Sequence, residues 1–150
     1  KTLLFMIDAT NYREMKYQYE ILKEEVQRYS AELADRNHAI VITKIDALSV
    51  DEVNLLTEIF LEDIGLKANS ILKKYKADMN YLSYGYEKEE WDEYPEGEAG
   101  FVLPISSVAQ FNTEALRYAL ADFAKAESKK SAKSDAIVTE ESLSDADNES

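Results

Sequence analysis

Ala39-Ile-Val-Ile-Thr-Lys-Ile-Asp46 is the stretch from which the rest of the chain can be read. An apolar, mostly β-branched run meets Thr43-Lys44-Ile45-Asp46, and Ala47-Leu48-Ser49 turns away behind it. A short unbroken run of this kind reads as a strand buried on both faces, the pattern of a parallel sheet. Ligands in such sheets bind beyond the carboxyl ends of the strands, which makes Lys44 and Asp46 candidates for ligand contact. A carboxylate sets two acceptors side by side, matching the N1–H and exocyclic amino donors of guanine. Adenine has no such donor pair. Side chains two apart on an extended segment share a side, so the Lys44 stem is expected along the base that Asp46 reads.

The chain has 150 residues, enough for one domain with one core. Its formal net charge is −13 and its pI near 4.5, so phosphate backbones and anionic membrane surfaces would be repelled. Direct nucleic-acid binding and membrane association are therefore not expected. No cysteine is present, which excludes disulfides and thiolate metal sites. No apolar run is long enough to span a bilayer and no signal peptide opens the chain, so a cytoplasmic, monomeric protein is expected. Lys1 stands where a natural domain rarely begins, just before a strand, and the reading is of a fragment lacking its N-terminal part.

Outward from the central stretch, Leu3-Leu-Phe-Met-Ile7 reads as a second buried strand, followed by Asp8-Ala-Thr10. Asp8 is expected to fix its own turn through backbone N–H groups. From about Met15 to Arg36 the spacing predicts a long helix with Leu22, Val26, Tyr29 and Leu33 on one face. His38, with no second His or Cys nearby, is a poor metal ligand. Ser49-Val-Asp-Glu52 is a capping box opening a helix with Val53, Leu56, Phe60 and Ile64 inward, ended by Gly65.

Residues 66–100 read as an acidic, aromatic insertion. A short helix is expected within 69–78, with Ile71, Leu72 and Tyr75 inward. Tyr81, Tyr84, Tyr86, Trp91 and Tyr94 follow, but the surrounding glutamates oppose base stacking on nucleic acid. A lid, a protein-contact surface or a locally packed insertion all remain open. Phe101-Val-Leu-Pro-Ile105 reads as a third strand, and Pro104, lacking a donor, points to a sheet edge. Thr113 is expected to cap a helix with Leu116, Leu120 and Phe123 inward. Residues 128–150 have almost nothing apolar to bury and read as a disordered acidic tail. Strand–helix alternation implies a parallel α/β sheet with flanking helices, and three strands would leave an edge for others upstream.

These marks resemble the C-terminal half of the GTPase domain of the Obg family. The resemblance rests on Leu3-Leu-Phe-Met-Ile-Asp8, Tyr19-Glu-Ile-Leu-Lys-Glu-Glu-Val-Gln-Arg-Tyr29, Leu33-Ala-Asp-Arg36, Ile40-Val-Ile-Thr-Lys-Ile-Asp46 and Phe101-Val-Leu-Pro-Ile-Ser-Ser-Val108. It covers roughly 1–60 and 100–125, within a G-domain part spanning 1–127. It implies a partial P-loop NTPase-type, Ras-like sheet. It implies a guanine site formed by Thr43, Lys44, Ile45, Asp46, Ser106, Ser107 and Val108. Asp46 would accept from guanine N1 and N2, Lys44 would pack over the base, and the Ser107 N–H would donate to O6. Thr43 departs from the family's Asn and brings one hydroxyl in place of an amide.

The resemblance further implies GTP/GDP and Mg²⁺ as ligands, and action in assembly of the large ribosomal subunit. No Gly-x-x-x-x-Gly-Lys-Ser/Thr and no Asp-x-Pro-Gly occurs, the glycines being Gly65, Gly85, Gly97 and Gly100. Phosphate and Mg²⁺ binding depend on such motifs, so no catalytic residue and no metal ligand is assigned, and this chain alone is not expected to hydrolyse GTP. Two other readings remain. One is an aspartyl-phosphate domain with Asp8 as acceptor, supported by Lys44 and Ser106. The other is a non-enzymatic domain whose acidic tail and aromatic insertion bind a basic partner.

Overall fold

The computed structural model describes residues 3–31, 36–87 and 97–126. In chain order these form β1 (Leu3–Asp8), α1 (Met15–Tyr29), β2 (His38–Thr43), α2 (Val50–Asp63), β3 (Tyr84–Gly85), β4 (Ala99–Pro104) and α3 (residues 113–126). The sheet runs β1-β2-β4-β3; β1, β2 and β4 are parallel and the two-residue β3 is antiparallel to β4. The α/β sheet with flanking helices is thus present, with one more strand than the sequence suggests.

β2 carries the core on both faces, as an unbroken apolar run requires. Ile40 and Ile42 pack on one side with Phe5, Ile7, Tyr19, Val53, Phe60 and Leu61, from β1, α1 and α2. Ala39 and Val41 pack on the other with Phe101, Leu103, Ala115, Ala119 and Phe123, from β4 and α3. Ala39, Ile40, Val41 and Ile42 are all fully buried. Between β2 and β4 the register shifts: His38 pairs with Ala99 and Ala39 with Phe101. The extra residue sends Ala99 and Phe101 to opposite faces, although they lie two apart.

Several expectations change. β1 is fully buried on one face only: Phe5 and Ile7 are inside, while on the other face Leu4 is half-buried against the α3-side cluster and Met6 is 60% exposed. α1 ends at Tyr29, because Ser30 turns extended at φ −162°, ψ 119° while its N–H still bonds Val26 O. Tyr29 is therefore 81% exposed, and the seam consists of buried Met15 and Tyr19 with half-buried Leu22 and Val26. Leu33, with Ala34 and Asp35, lies outside the described residues.

α2 follows expectation. Ser49 Oγ accepts from the Glu52 N–H, Glu52 accepts from the Ser49 N–H, and Gly65 follows at φ +81°. Each such cap stabilises a helix by about 1 kcal/mol.

The start of the presumed insertion belongs to the core. Ile71–Tyr75 forms a 3-10 turn that buries Leu72 and Tyr75 on the α3 side, while Tyr81 and Tyr84 enter the opposite cluster. Asn54 of α2 holds this segment, donating to Asn80 O at 2.9 Å and accepting from the Leu82 N–H at 2.8 Å. Gly85 lies so close to Ile71 that an added Cβ would sit 2.6 Å from its Cγ2. Trp91, Tyr94 and the acidic tail lie outside the described residues.

β4 begins at Ala99, before the expected Phe101, and is buried throughout. It is not a bare edge: β3 covers Phe101 and Val102. Pro104 is tolerated because it lies beyond that short pairing, where no donor is called for on the β3 side. In α3 the inward residues are Ala115, Ala119 and Phe123, with Leu116 and Leu120 half-buried beside them. Thr113 does not cap: its hydroxyl donates to Gln110 Oε1, and Asn112 O receives the Leu116 N–H.

Candidate functional site

The C-terminal ends of β2 and β4 lie side by side, and the ladder between them continues past both strands. The Ile105 N–H donates to Ile42 O at 2.8 Å, and the Ile45 N–H to Ile105 O at 3.4 Å. Buried Ile45 anchors the first loop under its exposed neighbours Lys44 and Asp46. These bonds set Thr43–Asp46 against Ser106–Val108, the seven residues singled out from the sequence.

Asp46 is oriented by a single short bond. The fully buried Ser106 donates its hydroxyl to Asp46 Oδ1 at 2.6 Å. The same oxygen of Ser106 accepts the Ala109 N–H at 3.0 Å. Ser106 and Phe111 exchange both backbone bonds, at 3.1 and 3.0 Å, so residues 107–110 form a closed loop above the strand end. Gln110 at φ +60° and Asn112 at φ +59° make the turn possible. Asn112 then ties its end to Pro104 O at 3.0 Å and to the Asp78 N–H at 2.7 Å.

The arrangement leaves acceptors and donors facing outward. Asp46 Oδ2 takes no hydrogen bond among the described residues, and Oδ1 keeps a second lone pair. The N–H groups of Ser107 and Val108 make no hydrogen bond among the described residues either, and Val108 is 85% exposed. A rigid carboxylate with backbone N–H groups a loop away is a donor–acceptor set fit for the edge of a purine carrying both kinds of group.

Lys44 and Asp46 do not share a side as their spacing suggested. β2 ends at Thr43, and Lys44 adopts the left-handed conformation at φ +63°, ψ 32°. The period of two stops there. The Lys44 ammonium reaches Asp8 Oδ2 at the end of β1, 3.0 Å away, while Asp46 reaches Ser106 beyond β4. The two side chains lean to opposite neighbours of the central strand. Thr43 Oγ1 donates to Ile7 O at 3.3 Å, so its hydroxyl joins β2 to β1.

Asp8 fixes its own turn, as expected: Oδ1 accepts from the Thr10 N–H at 2.8 Å and the Thr10 hydroxyl at 2.6 Å. The Thr10 hydroxyl, with Lys44 beside it, holds the Asp8 carboxyl below its ordinary value of 3.8 against some desolvation. The aspartyl-phosphate reading already sets Lys44 beside Asp8; the register that pairs Asp8 with Thr43 is what brings the two together. Asn112 and Phe111 went unrecognised; a lone Asn before a helix was the only available signal.

Among the described residues no three His, Cys, Asp or Glu side chains cluster to hold a metal ion. A groove of about 240 Å³ between the start of α1 and α2, lined in part by Tyr12, Met15, Leu56 and Phe60, includes none of the seven site residues.

Most of the chain is similar to known sequences. A GTPase Obg from Nautilia profundicola is 38% identical over 129 residues, which cover 86% of this chain and 31% of that protein. A GTPase Obg from Sulfurimonas denitrificans is 38% identical over 123 residues, 79% of this chain and 32% of its own length. This chain belongs to the Obg family. It spans about a third of the length of the curated relatives it matches. No family profile and no solved structure matches it. Among the described residues, no helix of this Obg-family chain is long and apolar enough to cross a membrane.

Proposed function

We propose that this chain supplies the guanine-reading part of an Obg-type GTPase. The observation that carries the reading is the 2.6 Å bond by which buried Ser106 holds Asp46 at the mouth between β2 and β4. Asp46 accepts from guanine N1–H and the 2-amino group. Ser107 donates its backbone N–H to O6, with Val108 closing the loop. Lys44 lays its stem over the base, and Thr43 and Ile45 hold the loop from which Lys44 and Asp46 project. An adenine leaves the Asp46 carboxylate without donors, which sites of this kind penalise heavily.

In this reading the intact protein binds GTP and GDP with Mg²⁺, hydrolyses GTP, and acts in large-ribosomal-subunit assembly as a cytoplasmic monomer. Phosphate and metal contacts come from residues outside this chain, and the chain alone does not hydrolyse GTP. The acidic balance keeps its own surface off RNA. The test is Asp46→Asn in the intact protein, measuring GDP and XDP affinity together. A swap of preference from guanine to xanthine is expected; equal GDP affinity in the variant overturns the assignment.

The aspartyl-phosphate reading gains one observation, the Asp8–Lys44 pair, and loses another, because Ser106 is committed to Asp46. Incorporation of phosphate from acetyl phosphate at Asp8 would restore it.

A further inference from the structure

Lys44 sits in a conformation that L residues rarely adopt, which costs on the order of 1 kcal/mol or more and persists only where surrounding groups fix it. The group that meets its side chain is Asp8, and Asp8 is itself unusually constrained. Gln18 of α1 accepts from the Asp8 N–H at 2.9 Å and donates to Asp8 O at 3.2 Å, clamping the backbone on both sides. Thr10 takes up Oδ1 with two bonds. Only Oδ2 remains, and it is aimed at the Lys44 ammonium, 3.0 Å away.

We propose that Asp8 is a positioning residue for the guanine site, holding Lys44 on the β1 side of the loop after β2, across from the Asp46 that Ser106 holds on the β4 side. The inference rests on the base-reading role proposed above and deepens it. An exposed ion pair between two flexible side chains contributes little, because both must be ordered. Here one partner is ordered already, by Gln18 and Thr10, so only the lysine loses freedom. The pair crosses from the end of β1 to the loop after β2. It does for Lys44 what Ser106 does for Asp46 from the other side. Thr43 ties the same two strands through Ile7 O, so the β1 end braces this loop twice.

The test measures GDP affinity and dissociation rate in the intact protein for Asp8→Asn, Lys44→Met and the double variant, with Thr10→Val as a milder second probe. Asp8→Asn is expected to weaken GDP binding about three- to tenfold, mainly through faster dissociation, and the deficit should shrink at high salt. On the Lys44→Met background the same substitution should change nothing further, an outcome that a purely structural role would not give. Thr10→Val should move affinity in the same direction by less. GDP affinity within twofold of the parent in both Asp8→Asn and Thr10→Val overturns the proposal, as does an undiminished Asp8→Asn effect on the Lys44→Met background. If Asp46→Asn also leaves GDP binding intact, the base-reading role itself has failed; if Asp46→Asn abolishes it, only the role of Asp8 has.

Discussion

The two ends of β2 treat polar groups in opposite ways. At its start His38 is 2% exposed, stacked on Phe5 at 4.7 Å and bonded to the Tyr19 hydroxyl through Nε2 at 2.6 Å. At its end Lys44 and Asp46 are exposed, each held by one partner on a neighbouring strand end. Burial pushes the His38 imidazole down to about 4, with Lys23 adding to the effect. The closed end uses its polar group to complete a packed cluster and keeps it neutral. The open end fixes its groups in place but leaves their remaining lone pairs and protons to something else. Polar residues at a strand end therefore signal a site only where the surrounding packing stops short of them.

The largest expected effect would break the open end. Asp46→Asn should lower GDP affinity by roughly 10²-fold or more while raising affinity for XDP, read by competition binding. The next tests the closed end. His38 has a folded pKa below its unfolded value near 6.5, so the unfolded chain binds the extra proton first as pH falls. Stability is then full above about 6.5 and lost down toward pH 4, by about 3 kcal/mol. Urea unfolding at pH 7 and pH 4 measures this, and His38→Gln should flatten that part of the profile.

A third separates the two ends more sharply. Ser106→Ala removes a bond to a charged acceptor, about 2 kcal/mol in kind, and should weaken GDP binding at least tenfold. The pH profile set by His38 should not move. If Ser106→Ala lowered stability and left affinity unchanged, the open end would be as structural as the closed one.

The smallest effect concerns Asp8. Its lowered pKa means a contribution present above the ordinary 3.8 and lost as pH falls below it. Exposure and screening keep that contribution small, so Asp8→Asn should shift the unfolding midpoint little at pH 7. Any change in nucleotide binding then reads as positioning rather than unfolding.

Much of this was legible in advance. The run Ala39–Ile42 has no polar break, so it had to be a strand covered on both faces, and the capping box at Ser49 fixed where α2 begins. The family match agrees with the Obg resemblance read from the sequence. The end of α1 was not legible, because nothing local marks Ser30 as a stop and helical spacing continues past it. Residues 66–100 read as an insertion because acidic and aromatic residues crowd them, yet Leu72, Tyr75, Tyr81 and Tyr84 are buried in the core. They reach the core through a 3-10 turn and side-chain clamps.

The sequence by itself determined the central strand, the order of elements and the two loops that carry Asp46 and Ser106, since these follow from local periodicity and turn chemistry. Tertiary structure alone decided which groups meet. The parallel register sets Asp8 beside Thr43, the continued β2–β4 ladder sets Ser106 against Asp46, and the left-handed turn at Lys44 sends its ammonium to β1. Contacts between residues 36 and 60 positions apart depend on register, which no local pattern encodes.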